Sequence, residues 1–237
     1  MREFDLAEVI GDHKRAQLVT LILHNLNNIA YNGCVENGRN LMAIPERFCW
    51  TRFGTEAGQT IESILARKEN ERAANGGMFL WGIGNAIGPS FKELLRREAN
   101  PQALFSPIKS PPKAEDVSPP AVAAWTRGET LDGKTYALPD HSLVLSRYDP
   151  AGTKRVHYTL VCYSSEPLRI SESGDRIALD GLRNLLTGRP IGASQVTAVV
   201  ESVMGCRHGA STYPIALRAQ LVYPYFLRLL NPVLAHS

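Results

Sequence analysis

The chain has 237 residues, of which 44% are hydrophobic and 21% charged, a balance that excludes whole-chain disorder and supports a buried core. A net charge of +3 allows an acidic partner without demanding one, since committed nucleic-acid binders usually concentrate far more charge. The charge is uneven: no Asp or Glu follows Glu201, whereas Arg207, Arg218 and Arg228 do, so the C-terminal segment is locally basic.

In chain order, residues 1–40 read as an N-terminal extension. Asp5 to Lys14 suits a short helix, Leu18 to His24 a strand or buried helix end, and the Asn- and Gly-rich stretch from Asn25 to Asn40 favours turns. The apolar piece Leu18–Leu23 is too short to span a bilayer, and the acidic start (Glu3, Asp5, Glu8) is unlike a secretory signal, so the expectation is a cytoplasmic protein without membrane contact. Residues 41–237 are expected to form one domain. Arg47 to Phe53 suits a strand ended by Gly54. Thr60 is placed to cap a helix with Ile61, Ile64 and Leu65 on its apolar side, Arg67, Lys68, Glu69, Glu71 and Arg72 outward, and Gly76-Gly77 as its stop. Met78 to Gly84 is an apolar run of strand length, and Gly88-Pro89 opens a second helix carrying Phe91, Leu94 and Leu95.

Leu104 to Ile108 is the next expected strand. The proline-rich stretch at 107–120 reads as an exposed loop. Ser142–Tyr148, Val156–Ser164, Gln195–Val203 and Tyr213–Val222 are further strands, and Leu179 to Leu186 reads as a helix ended near Gly188. Connections mostly too short for parallel crossovers suggest an α+β fold, a small, mainly antiparallel β-barrel decorated by helices; a two-layer α+β sandwich fits nearly as well.

Catalytic and cofactor motifs are sparse. Gly82-Ile83-Gly84 lacks the third glycine of a dinucleotide fingerprint, and no P-loop or Gly-x-Ser-x-Gly elbow occurs, so no cofactor is expected. The cysteines Cys34, Cys49, Cys162 and Cys206 form no Cys-x-x-Cys pair, and the six histidines lack paired spacing, so no metal is expected. Gly205-Cys206-Arg207-His208-Gly209 is the best nucleophile cluster, because neighbouring cations depress a thiol pKa, but no third group orients it.

Aromatic residues carry the leading expectation. Trp50 and Phe53 on one strand, and Phe79 and Trp81 on another, would frame a pocket for a flat ligand such as a flipped or modified base, if the strands are neighbours. Arg47, Arg52, Lys109 and Lys113 would then contact phosphates of DNA or RNA. The order Phe48-Cys49-Trp50, helix, Phe79-Leu-Trp81-Gly-Ile-Gly84 and a strand series over residues 42–222 loosely resembles the PUA-like superfamily of EVE, ASCH and YTH domains. That resemblance implies a compact barrel reading bases without catalysis. The alternatives are a hydrolase or transferase using the 205–213 loop, or a scaffold that binds protein through the proline-rich loop.

Overall fold

The computed structural model describes residues 44–54, 60–84, 87–108, 122–139, 143–145, 157–171, 175–203 and 212–234, with the backbone alone for 122–124, 143–145 and 230–234. The chain divides into two units after Ile44, and the fold below is that of the second, Pro45–Ser237.

Twelve strands and two α-helices are described. Strand β1 (Arg47–Phe53) leads to α1 (Ile61–Ala74), β2 (Met78–Ile83), α2 (Gly88–Arg97) and β3 (Gln102–Pro107). Then come β4 (Val122–Thr130), β5 (Thr135–Ala137), β6 (Leu143–Leu145), β7 (Tyr158–Tyr163), β8 (Arg176–Ala178) and β9 (Leu182–Asn184). The last are β10 (Thr197–Ser202), β11 (Thr212–Pro214) and the 18-residue β12 (Leu217–Leu234).

The helices begin and end as their residues dictate. The Thr60 hydroxyl accepts the Ser63 amide at 3.2 Å and caps α1, and Glu62 adds negative charge in its first turn. At the other end Gly77 has φ 101°, and an added Cβ would lie 2.6 Å from the Tyr163 ring, so glycine alone fits there. Helix α2 takes Pro89 in its first turn, buries Phe91 and Leu94, and carries Arg96 and Arg97 in its last turn. One expected helix is corrected: Leu179 to Leu186 forms a single 3-10 turn (Leu179–Gly181) and then β9. With Leu179, Leu182 and Leu185 all buried, apolar burial alone does not distinguish a helix from a turn followed by a strand.

Ten strands form one sheet in the order β2-β7-β12-β3-β1-β10-β9, with β4 joined to β12 and carrying β5 and β6. The expected barrel is therefore corrected. The sheet is open: among the described residues no ladder joins its terminal strands β2 and β9. Two features distinguish the sheet from the expected barrel. The segment α1-β2-α2 returns β3 parallel to β1, which a meander of short connections would not do. In addition β12 changes neighbour along its length. Leu217–Gln220 pairs with β3, and Leu227–Leu234 pairs with β4, so the sheet forks along β12. The arrangement is closer to the sandwich alternative.

On one face a continuous core joins Cys49 and Phe53 of β1, Phe79 and Trp81 of β2, Ala103 and Phe105 of β3, Leu160 and Cys162 of β7 and Phe226 of β12 to Ile64, Leu65, Phe91 and Leu94 of the helices. Each fully buried phenylalanine contributes about 1.5–3 kcal/mol relative to leaving it in water. A second core under the forked end gathers Leu80, Trp125, Leu138, Val161, Leu227 and Leu229.

The fork requires close backbone approach. Gly128 of β4 lies where a Cβ would meet the Leu227 Cβ at 3.0 Å and its Cδ1 at 3.2 Å. Gly128→Ala is expected to destabilise the protein by about 1–3 kcal/mol, as overpacked core sites do. Chemical denaturation would read this as a lower midpoint at unchanged slope, and an unshifted midpoint would show that β4 and β12 have room to separate.

Candidate functional site

The aromatic pocket expected from β1 and β2 does not assemble. Three strands, β7, β12 and β3, separate the two in the sheet. Trp50 alternates with Cys49 and so projects to the face opposite Trp81. Its ring is fully buried, its indole N–H donates to Ser106 Oγ at 3.0 Å, and it packs 5.6 Å from the Tyr213 ring. Phe53 and Trp81 do meet, edge to face at 5.3 Å, with Phe105 4.4 Å beyond, and Phe79 is buried in the same core. All four rings are core packing.

The expected phosphate contacts fare differently from one another. Arg47 donates to Glu201 at 2.7 Å, Glu98 at 3.1 Å and Glu46 at 2.6 Å, so its charge is already balanced. Arg52 lies with its guanidinium carbon 4.7 Å from the centre of the Tyr213 ring and donates to the Ala193 carbonyl. Lys109 and Lys113 lie outside the described residues, as do residues 204–211 with Cys206 and His208, and the proline-rich stretch beyond Ile108.

The most concentrated titratable group is a pair that the helix pattern placed in solvent. Lys68 and Glu71 of α1 are each 3% exposed. Lys68 Nζ donates to Glu71 Oε2 at 2.6 Å, and the Leu80 amide donates to Glu71 Oε1 at 2.8 Å. Burial pushes the Lys68 pKa down, while the Glu71 carboxylate pulls it back up. Nearby, burial pushes the Cys49 thiol up to about 12 and the Cys162 thiol well above its ordinary value, the reverse of an activated nucleophile. The pair is structural: Glu71 occupies an amide on the outer edge of terminal strand β2 and blunts that edge against foreign pairing.

Accessible aromatic chemistry lies instead at the fork. Leu221 pairs with Cys162 and Phe226 with Leu160, so Val222, Tyr223, Pro224 and Tyr225 of β12 stand against Val161 alone. This bulge pushes Tyr223 outward, 55% exposed. Pro224 lacks an N–H and has no place in a regular ladder. Tyr225 adopts φ 66°, a left-handed conformation that is a true outlier for a bulky side chain.

Tyr136 reaches the bulge from β5, delivered by a tight hairpin. The Thr130 amide donates to the Lys134 carbonyl at 2.9 Å, Gly133 takes φ 80°, and Asp132 bonds Thr130 and Lys134. The Tyr136 and Tyr223 rings are 6.1 Å apart at 78°, and Tyr223 and Tyr225 are 6.1 Å apart at 86°. Burial first, and then the Tyr223 phenol, push the Tyr136 hydroxyl pKa up. Tyr136 rests on the smaller core and Tyr225 on the larger, so the ring set spans both. The sequence offered one unread signal, three tyrosines flanking prolines and a Gly turn (Tyr136, and Tyr223-Pro-Tyr225).

No family model, curated protein or solved structure matches the chain. The PUA-like reading rested on a barrel, and with the sheet open and no match found it carries no further argument. Among the described residues, no helix is long and apolar enough to cross a membrane.

Removing Glu71 takes away the carboxylate that holds both the Lys68 ammonium and the Leu80 amide. Glu71→Ala is expected to cost about 3–5 kcal/mol of stability. Thermal denaturation measures it, and a loss below about 1 kcal/mol would show that the carboxylate contributes little beyond an exposed ion pair. The Asp132 carboxyl is held down to about 2 by the Lys134 bond first and by Thr130 second. Its contribution to the hairpin is complete above the ordinary carboxyl range and disappears as pH falls through about 2. A carboxyl-carbon NMR titration with a midpoint near 4 would show the pair to be open in solution.

Proposed function

We propose that this protein is a non-catalytic protein-binding module whose contact face is the tyrosine set Tyr136, Tyr223 and Tyr225. The observation that carries the reading is Tyr225 at φ 66° inside a bulge that holds Tyr223 out in water. A strained aromatic residue persists only where its surroundings over-determine it, and such strain concentrates at ligand clamps. Tyrosine suits the role because it gives a large, rigid contact area with few rotatable bonds and a polar tip, and it is enriched at binding hot spots.

The buried chemistry supports binding over catalysis. Lys68 and Glu71 satisfy each other and a strand edge, and the Cys49 and Cys162 thiols are pushed upward in pKa by burial. The two cysteines among the described residues, Cys49 and Cys162, are free, which suits a reducing compartment such as the cytoplasm.

The test uses the immobilised full chain, wild type and Tyr223→Ala, to capture proteins from cell extract, with each captured protein then purified and titrated. Tyr223 is largely exposed, so the variant should keep the wild-type melting temperature. The expected result is at least one direct partner whose affinity falls about thirtyfold in the variant, the size of a hot-spot loss. Equal affinity of every partner for both proteins would overturn the reading. Tight, steeply salt-dependent binding of DNA or RNA that is indifferent to Tyr223 would replace it.

A further inference from the structure

The ends of the sheet are not alike. On terminal strand β2 the outward amides of Met78 and Leu80 are taken, by the Asn75 carbonyl at 3.2 Å and by Glu71 Oε1 at 2.8 Å. At β9 the Asn184 amide donates to the Arg189 carbonyl at 2.8 Å, and Pro190 bridges Arg183. Strand β5 differs: its one ladder among the described residues is with β4. The Thr130 amide donates to the Lys134 carbonyl and the Leu138 amide to the Thr126 carbonyl, so Lys134, Tyr136 and Leu138 turn their backbone groups toward β4. Thr135 and Ala137 between them aim theirs away from the sheet. Both residues are exposed, and among the described residues no group bonds to their outward amides and carbonyls. Another extended backbone is the chemistry that satisfies such an edge.

The neighbouring side chains restrict what that backbone carries. Arg127 of β4 stands opposite Ala137 in register, so the two share one face of the sheet. Arg127 is exposed and has no carboxylate partner among the described residues, whereas Glu129, the next charge on that face of β4, is paired with Arg228 at 3.3 Å. A strand added to β5 would lie about 4.8 Å beyond it. Ala137 between them is small enough for the long Arg127 side chain to lean across, and a carboxylate on the added residue beside Ala137 would meet it. The chain neighbours of that residue point to the opposite face, where an apolar side chain would meet the Tyr136 ring.

We propose that β5 takes up an extended acidic segment of a partner protein as an additional strand, bonded through the backbone of Thr135 and Ala137 and paired with Arg127. This rests on the protein-binding reading above and names the form and charge of what is bound.

The test selects ligands for the immobilised full chain from random linear peptides displayed on phage. The selected peptides are then titrated in solution against wild type, Ala137→Pro, Ala137→Ser, Arg127→Glu and Tyr223→Ala. Proline at 137 removes an amide that makes no bond within the sheet, so the variant should fold, and Ala137→Ser keeps that amide. Hydrogen exchange at Thr135 and Ala137 in the wild type reads the same edge without any substitution. The expected result is acidic peptides that protect both amides from exchange. Their affinity should fall about tenfold in Ala137→Pro, the worth of one backbone hydrogen bond, stay level in Ala137→Ser, and fall by a similar factor in Arg127→Glu. No selected peptide, or peptides that leave both amides unprotected, would overturn the proposal. If such unprotecting peptides still depend on Tyr223, the tyrosine reading stands and the added strand alone falls. Peptides that protect the edge but lack acidic residues and ignore Arg127→Glu would overturn the acidic segment. Dimerisation of the wild type that Ala137→Pro abolishes would replace the partner segment with a second copy of this chain.

Discussion

Strand β12 is the member on which the rest of the fold depends. One of its edges serves two partners in succession, β3 through Leu217–Gln220 and β4 through Leu227–Leu234, while its other edge serves β7. A regular strand cannot make that exchange without a change of direction, and the bulge at Val222–Tyr225 supplies it. Both cores follow from it, since Leu221 and Phe226 enter the larger one and Leu227 and Leu229 the smaller.

Exposed edges and buried charges are managed together. Glu71 reaches from α1 to an amide of β2, and Lys68 neutralises it in a site with little water. The arrangement resembles a cap more than a catalytic dyad, because both carboxylate oxygens already hold donors. Similar accounting covers Arg47, which gathers Glu46, Glu98 and Glu201 at one end of the sheet, and Glu93, which bonds Arg96 and Arg97 on α2. Strong local pairing leaves few of these charges free to act at a distance, so aromatic surface at the bulge is the more distinctive accessible chemistry.

Local signals in the chain were reliable where a short-range force decides the outcome. Thr60 caps its helix, Gly77 ends it, Pro89 opens the next, and the apolar runs at 47–53 and 78–83 are strands. Signals failed where a distant partner decides. Lys68 and Glu71 read as a solvated helix face because nothing near them in sequence reveals that β2 covers that side. Trp50 and Trp81 share a pocket only if their strands are neighbours, and strand order and the parity of facing are properties of the whole sheet. Strand β4 passed unread, with its Gly128 requirement visible only once Leu227 lies against it.

The amino-acid sequence by itself determined an α+β protein, most of its strands, both helices with the Thr60 cap of the first, and the lack of familiar catalytic and cofactor motifs. These depend on propensity, periodicity and capping within about a dozen residues. The tertiary structure alone decided that the sheet forks instead of closing, that four nominated aromatic residues are core, and that Tyr136 joins Tyr223 and Tyr225 across nearly ninety residues of chain. The physical reason is that strand pairing and ring contact are set by register between distant segments, and a shift of one residue turns every side chain to the opposite face.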